Sequence, residues 1–142
     1  MYKKIFEPGK IGTLVGAETA SYLAHEGRQV SILEMLPEIA RDGEPNVNHY
    51  LLRELETFKV SVYTSAKVVS LEEGQVTFTK DGVSHQIGVD TVILAAGIRP
   101  EPTLWEELKD CGIAVFRVGN ASETKNGFFN IRQAFQLGRD ID

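Results

Sequence analysis

Apolar positions recur every three to four residues over 13–26, where Leu14, Val15, Ala17, Ala20, Leu23 and Ala24 form one broad stripe. That spacing predicts an amphipathic helix, and Gly27 supplies its stop. Residues 29–34 (QVSILE) alternate and then run apolar, as a short parallel strand buried on both faces does. Residues 35–44, with Pro37, Asp42 and Gly43, read as a loop with a turn of helix. A second helix is predicted over 45–58, with Pro45 near its first position and Val47, Tyr50, Leu51, Leu55 and Phe58 on one side. A strand at 59–63 follows. Runs at 66–71, 75–80 and 83–89 predict an antiparallel meander, with Asp81 and Gly82 as a hairpin turn. Residues 90–97 (DTVILAAG) are the most apolar run and are expected to return to the parallel sheet. A short helix at 103–110, a strand at 113–118 and a helix at 128–138 complete the pattern. The order predicts an α/β, Rossmann-like three-layer domain: a parallel sheet with an inserted antiparallel meander.

Composition changes this picture little. A chain of 142 residues with 42% hydrophobic and 25% charged residues is of ordinary globular make-up and long enough for a real core. The net charge of −5 provides no basic stripe for a nucleic acid. Cys111 is the single cysteine, which excludes an internal disulfide and any Cys-x-x-Cys site and suits a reducing cytoplasm. Glu7, Pro8, Gly9 and Lys10 interrupt the opening residues, so neither a signal nor a membrane helix is expected there. His25, His49 and His85 lack metal-ligand spacing, and no metal is expected.

The candidate chemistry sits at the start of the first helix. A dinucleotide site needs a strand-to-helix turn with little side-chain bulk, so that backbone N–H groups reach the pyrophosphate. Residues 11–16 (IGTLVG) occupy that place. Against Gly-x-Gly-x-x-Gly, Gly16 is the last glycine, Gly12 fills the free position, and Ile11 and Thr13 replace the other two. Leu14 and Val15 complete the turn. Glu34 lies at the end of the second strand, roughly 20 residues beyond the turn, where a carboxylate accepts from ribose hydroxyls. It would repel a 2'-phosphate, which favours NAD(H) over NADP(H), and Arg28 and Arg41 nearby bear on that preference.

Residues 14–20 (LVGAETA), 30–40 (VSILEMLPEIA), 90–100 (DTVILAAGIRP) and 118–120 (VGN) span nearly the whole chain. In that order they resemble the pyridine-nucleotide-binding region of the two-dinucleotide-domain flavoproteins, above all the C-terminal part of NADH:flavin oxidoreductases of the 2,4-dienoyl-CoA reductase and trimethylamine dehydrogenase type. The resemblance implies that residues 16–20 begin the helix over the pyrophosphate, that Glu18 lies near the nicotinamide end and that Glu34 holds the adenosine ribose. It implies that Ala95, Ala96 and Gly97 form the strand end leading back to a flavin domain. It divides the chain into a nucleotide-binding domain at 1–112 and, at 113–142, a strand and helix like the closing segment of a flavin-binding domain.

The chain departs from these relatives in two places. Their Gly-Asp pair at the flavin is Gly119–Asn120 here, and Pro8 interrupts the expected first strand, moving it to residues 3–6. The relatives' substrate barrel, FAD or FMN and iron–sulfur cluster lie upstream, so binding without turnover is expected of this chain by itself. Two functions stay open: an NAD(H)-binding domain that positions nicotinamide for hydride transfer to a flavin held mostly elsewhere, and a degenerate Rossmann-like module that acts in protein association. The last helix, with Phe128, Phe129, Phe135 and Leu137, is expected to leave an apolar face open to the rest of a flavoenzyme or to self-association.

Overall fold

The computed structural model describes residues 13–41 and 43–141. These form two compact units that divide after Gly97, whereas the sequence reading draws its boundary after 112.

The first unit opens with α1 (Thr13–His25). Its alanines are its contact surface: Ala17, Ala20 and Ala24 are buried, and their small side chains allow neighbouring elements to approach closely. The helix ends in a Schellman motif, with Gly27 at φ 80°, its N–H donating to Ala24 O and that of Arg28 donating to Leu23 O. The chain then enters β1 (Ser31–Leu33). The next helix, α2 (Pro45–Thr57), starts on Pro45, whose missing N–H costs nothing at that position. Its end repeats the motif, with Lys59 at φ 56° and Val60 N–H donating to Leu55 O. It delivers the chain to β2 (Ser61–Tyr63), which pairs parallel with β1 in the register Ile32↔Val62. Ala17, Ala20, Ala40, Leu51 and Leu55 form one core cluster, with Leu14, Val30, Ile32, Ile39 and Val60 packed against it.

The meander comprises β3 (Ala66–Glu72), β4 (Gln75–Lys80) and β5 (Val83–Gly88), all antiparallel. Asp81 and Gly82 both take positive φ, 51° and 77°, as a two-residue type I′ hairpin demands. Ala66, Val76 and Phe78 are buried. The Phe78 ring lies 5.2 Å from that of Tyr63, which ties the meander to β2.

Two expected strands do not form. Residues 90–97 and 113–118 carry no ladder pairing, and Val92, Ile93 and Leu94 are each about half exposed. A strand is defined by its neighbours, and among the described residues none lies alongside either run to exchange hydrogen bonds. The first strand, expected at residues 3–6, lies outside the described residues.

The second unit holds α3 (Thr103–Leu108), a 3₁₀ turn at Gly119–Ala121 and α4 (Gly127–Asp140). The Asn126 side chain caps α4 by accepting from Phe129 N–H. No described residue of 98–141 is buried. Phe128, Ile131 and Phe135 along α4 are 64–75% exposed, so the apolar face expected of this helix is present.

At α3, Glu101 accepts from both the hydroxyl and the N–H of Thr103. These bonds, the hydroxyl's first, hold its carboxyl below the usual range. Because the shift is downward, the stabilisation is present above the ordinary carboxyl pKa and fades as pH falls through the lowered one. Thr103→Val should move the Glu101 midpoint upward in a carboxyl-detected NMR titration. An unmoved midpoint would reject the hydroxyl as the main cause.

Candidate functional site

The first turn of α1 has backbone N–H groups that no helical carbonyl can accept from, at the positive end of the helix dipole. Thr13 begins this helix, and Leu14, Val15 and Gly16 continue its first turn; Gly12 lies outside the described residues. Val15 is exposed, while Leu14 packs on the core. A Cβ added to Gly16 would stand 3.2 Å from the Ala95 Cβ. The helix start thus lies close against Ala95, and a larger residue at position 16 would need that neighbour to give way. Ala95 and Ala96 are half-buried, and Gly97 takes φ 86°. Ala95 lies beside α1 although the strand that these three residues were expected to end does not form.

Glu34 follows β1 directly. Its N–H donates to Tyr63 O, and its carbonyl accepts from Ala66 N–H. Its half-buried carboxylate accepts through Oε1 from Leu36 N–H at 2.8 Å. A carboxylate offers about four lone-pair sites, so one such bond orients the group and leaves acceptor capacity for a diol. Arg28 and Arg41 are exposed. Glu18 lines a shallow cleft of about 400 Å³ between α1 and α2 together with Ser21, Tyr22, Tyr50, Glu54 and Phe58. Within it the buried Ser21 hydroxyl donates to Glu54 Oε2 at 2.7 Å.

Sequence reasoning missed the polar clamp under the 35–44 loop. Asn48 on α2 donates through Nδ2 to Ala40 O at 2.6 Å and to Gly43 O at 3.4 Å. Ala40 is fully buried and takes φ 56°. The only sequence signal was Gly43 itself, read as loop material.

In the second unit, Gly119 N–H donates to Gln133 Oε1 at 2.8 Å, and Asn120 Oδ1 accepts from Asn130 Nδ2 at 3.1 Å. Ser122 Oγ donates to Gly119 O. The Gly119–Asn120 turn is thereby fastened to α4.

A helix start packed through a glycine and a carboxylate at the end of the adjoining parallel strand belong to the Rossmann-like class. The model of the pyridine nucleotide-disulphide oxidoreductase family matches residues 12–129, and the chain belongs to that family. It is similar to the bilirubin reductase of Mediterraneibacter gnavus, with 37% identity over 79% of this chain and 18% of that protein. It is also similar to the NADH oxidase of Thermoanaerobacter brockii, with 34% identity over 92% of this chain and 20% of that protein. Among solved structures, 2-naphthoyl-CoA reductase superposes with a TM-score of 0.76 at 20% identity, over 88% of this chain and 19% of that one. The chain spans about a fifth of the length of the curated relatives it matches. Among the described residues, no helix is long and apolar enough to cross a membrane.

Proposed function

We propose that the first unit binds NAD(H) and positions its nicotinamide for hydride transfer to a flavin held mostly outside this chain. The observation that carries this reading is Glu34: a half-buried carboxylate, oriented by Leu36 N–H at the end of β1, in the same compact unit as the Gly16 helix start. The residues fit a dinucleotide. Gly16 leaves α1 without bulk beside Ala95, the positive end of the helix dipole at its first turn suits a pyrophosphate, and Glu34 suits the adenosine ribose. When bound, a nicotinamide supplies the hydride chemistry, while these residues bind and orient it.

For the flavin the fit is poorer. Gly119 N–H and Asn120 Oδ1 already have partners within the chain, so a flavin contact there would require those bonds to be exchanged. The name of the Thermoanaerobacter relative, NADH oxidase, supports the choice of nicotinamide. In this reading the chain works as part of a larger flavoenzyme, FAD- or FMN-dependent, which its one-fifth coverage of the relatives supports.

Calorimetric titration of the whole chain tests the reading. NADH is expected to bind saturably below millimolar concentration and about tenfold more tightly than NADPH, or roughly 1.4 kcal/mol, because the Glu34 carboxylate repels a 2'-phosphate. No saturable binding at millimolar NADH would overturn it.

A further inference from the structure

We infer that Asn48 is a positioning residue for the adenosine end of the dinucleotide site, acting through the loop that begins at Glu34. The inference rests on the reading of Glu34 as the ribose-binding group.

The loop is fixed at both ends. At its start Leu36 donates its N–H to the Glu34 carboxylate and accepts at its carbonyl from Ser65 N–H at 2.9 Å. At its far end the Asn48 amide donates to Ala40 O and Gly43 O. Gly43 N–H turns back to Ala40 O at 3.0 Å, closing a tight bend over that side chain. A Cβ on Gly43 would collide with Asn48 Oδ1 and stand 3.1 Å from Leu14 Cδ1. Leu14 belongs to the first turn of α1. Asn48 therefore sits where α2, the loop carrying Glu34 and the pyrophosphate turn of α1 meet. Its effect on the Glu34 carboxylate passes through the loop backbone.

The chemistry of the contact is specific to an amide. The amide matters because Ala40 is fully buried at positive φ, where water cannot replace a lost donor; without Asn48 its carbonyl keeps only the Gly43 N–H, and the bend loses its tie to α2. Asn48→Asp retains size and shape but replaces the donor with an acceptor. Asn48→Ala removes the group.

The test titrates NADH and ADP-ribose into the unaltered chain, Asn48→Ala and Asn48→Asp, with far-UV circular dichroism to establish folding and hydrogen exchange at Leu36 and Gly43. Both variants are expected to bind NADH about tenfold more weakly, with the same factor for ADP-ribose because the fault lies at the adenosine end, and to exchange the two amides faster. Folded variants that bind both ligands as tightly as the unaltered chain would overturn the inference alone, as would a loss for NADH that ADP-ribose does not share. Loss of fold in both variants would make Asn48 a residue of the core and overturn it too. If the unaltered chain binds neither ligand, the dinucleotide reading itself fails and takes this inference with it.

Discussion

Phe78→Ala is expected to lower the unfolding free energy by about 3–5 kcal/mol, a large share of the roughly 5–15 kcal/mol that holds a domain folded. The ring is 1% exposed and lies between two others, with Tyr63 and His85 each 5.2 Å away between centroids. Tyr63 belongs to the parallel pair and His85 to the far strand of the meander, so truncation opens a cavity at the junction of both sheets. The cost joins lost transfer energy to lost contacts that the surrounding backbone cannot close. Urea unfolding followed by far-UV circular dichroism measures it, with Val83→Ala as control. Val83 is on β5 and 56% exposed, and its truncation should change stability by less than about 0.5 kcal/mol. Equal losses for the two variants would show that Phe78 is not the keystone of this packing.

Gly16→Val is expected to cost about 1–3 kcal/mol of stability through overpacking and to weaken NADH binding by at least about thirtyfold, or roughly 2 kcal/mol. Even a methyl group would approach the Ala95 Cβ to 3.2 Å, which the neighbour can relieve only by yielding a few tenths of an ångström. Two further methyls force α1 off the 95–97 segment and swing its first-turn N–H groups away from a pyrophosphate. Gly16→Ala should give a smaller loss of the same kind. Ala95→Gly in that background removes the opposing methyl and should return most of the affinity. Isothermal titration of the four proteins decides the matter: a double variant no better than Gly16→Ala would place the damage elsewhere.

The elements legible in the sequence were those whose signal is local. Helix α1 announces itself by its alanine and leucine spacing and its Gly27 stop, α2 by Pro45 and the Leu51–Leu55 pair, and the meander by alternation and the Asp81–Gly82 turn. Their bounds in the structure fall within two residues of the expected ones, except that β1 and β2 are shorter than the runs that signalled them. Residues 90–97 and 113–118 show what such signals omit. An apolar run states that a segment prefers burial, whereas a strand also needs a neighbour, and that neighbour is a property of the rest of the sheet. Glu34 is a candidate from sequence because of its distance from the glycine turn, and its place directly after β1 follows from the local strand signal. Asn48 is not, since an asparagine in the first turn of a helix is common, and only the bend at Ala40 and Gly43 gives this one its task. The bonds of Gly119 and Asn120 to Gln133 and Asn130 depend on how α4 folds back, which spacing does not encode.

The bare 91–96 stretch (TVILAA) has a practical consequence for handling the protein. It is a six-residue window rich in β-branched residues, uncharged and free of proline, and its centre is open to water. Such windows nucleate intermolecular cross-β stacking. Asp90 on one side and Pro100 and Pro102 on the other act as gatekeepers that limit its spread. Colloidal stability at high concentration, rather than thermal unfolding, is then the first property at risk, and a charged substitution at Ile93 the first remedy to try.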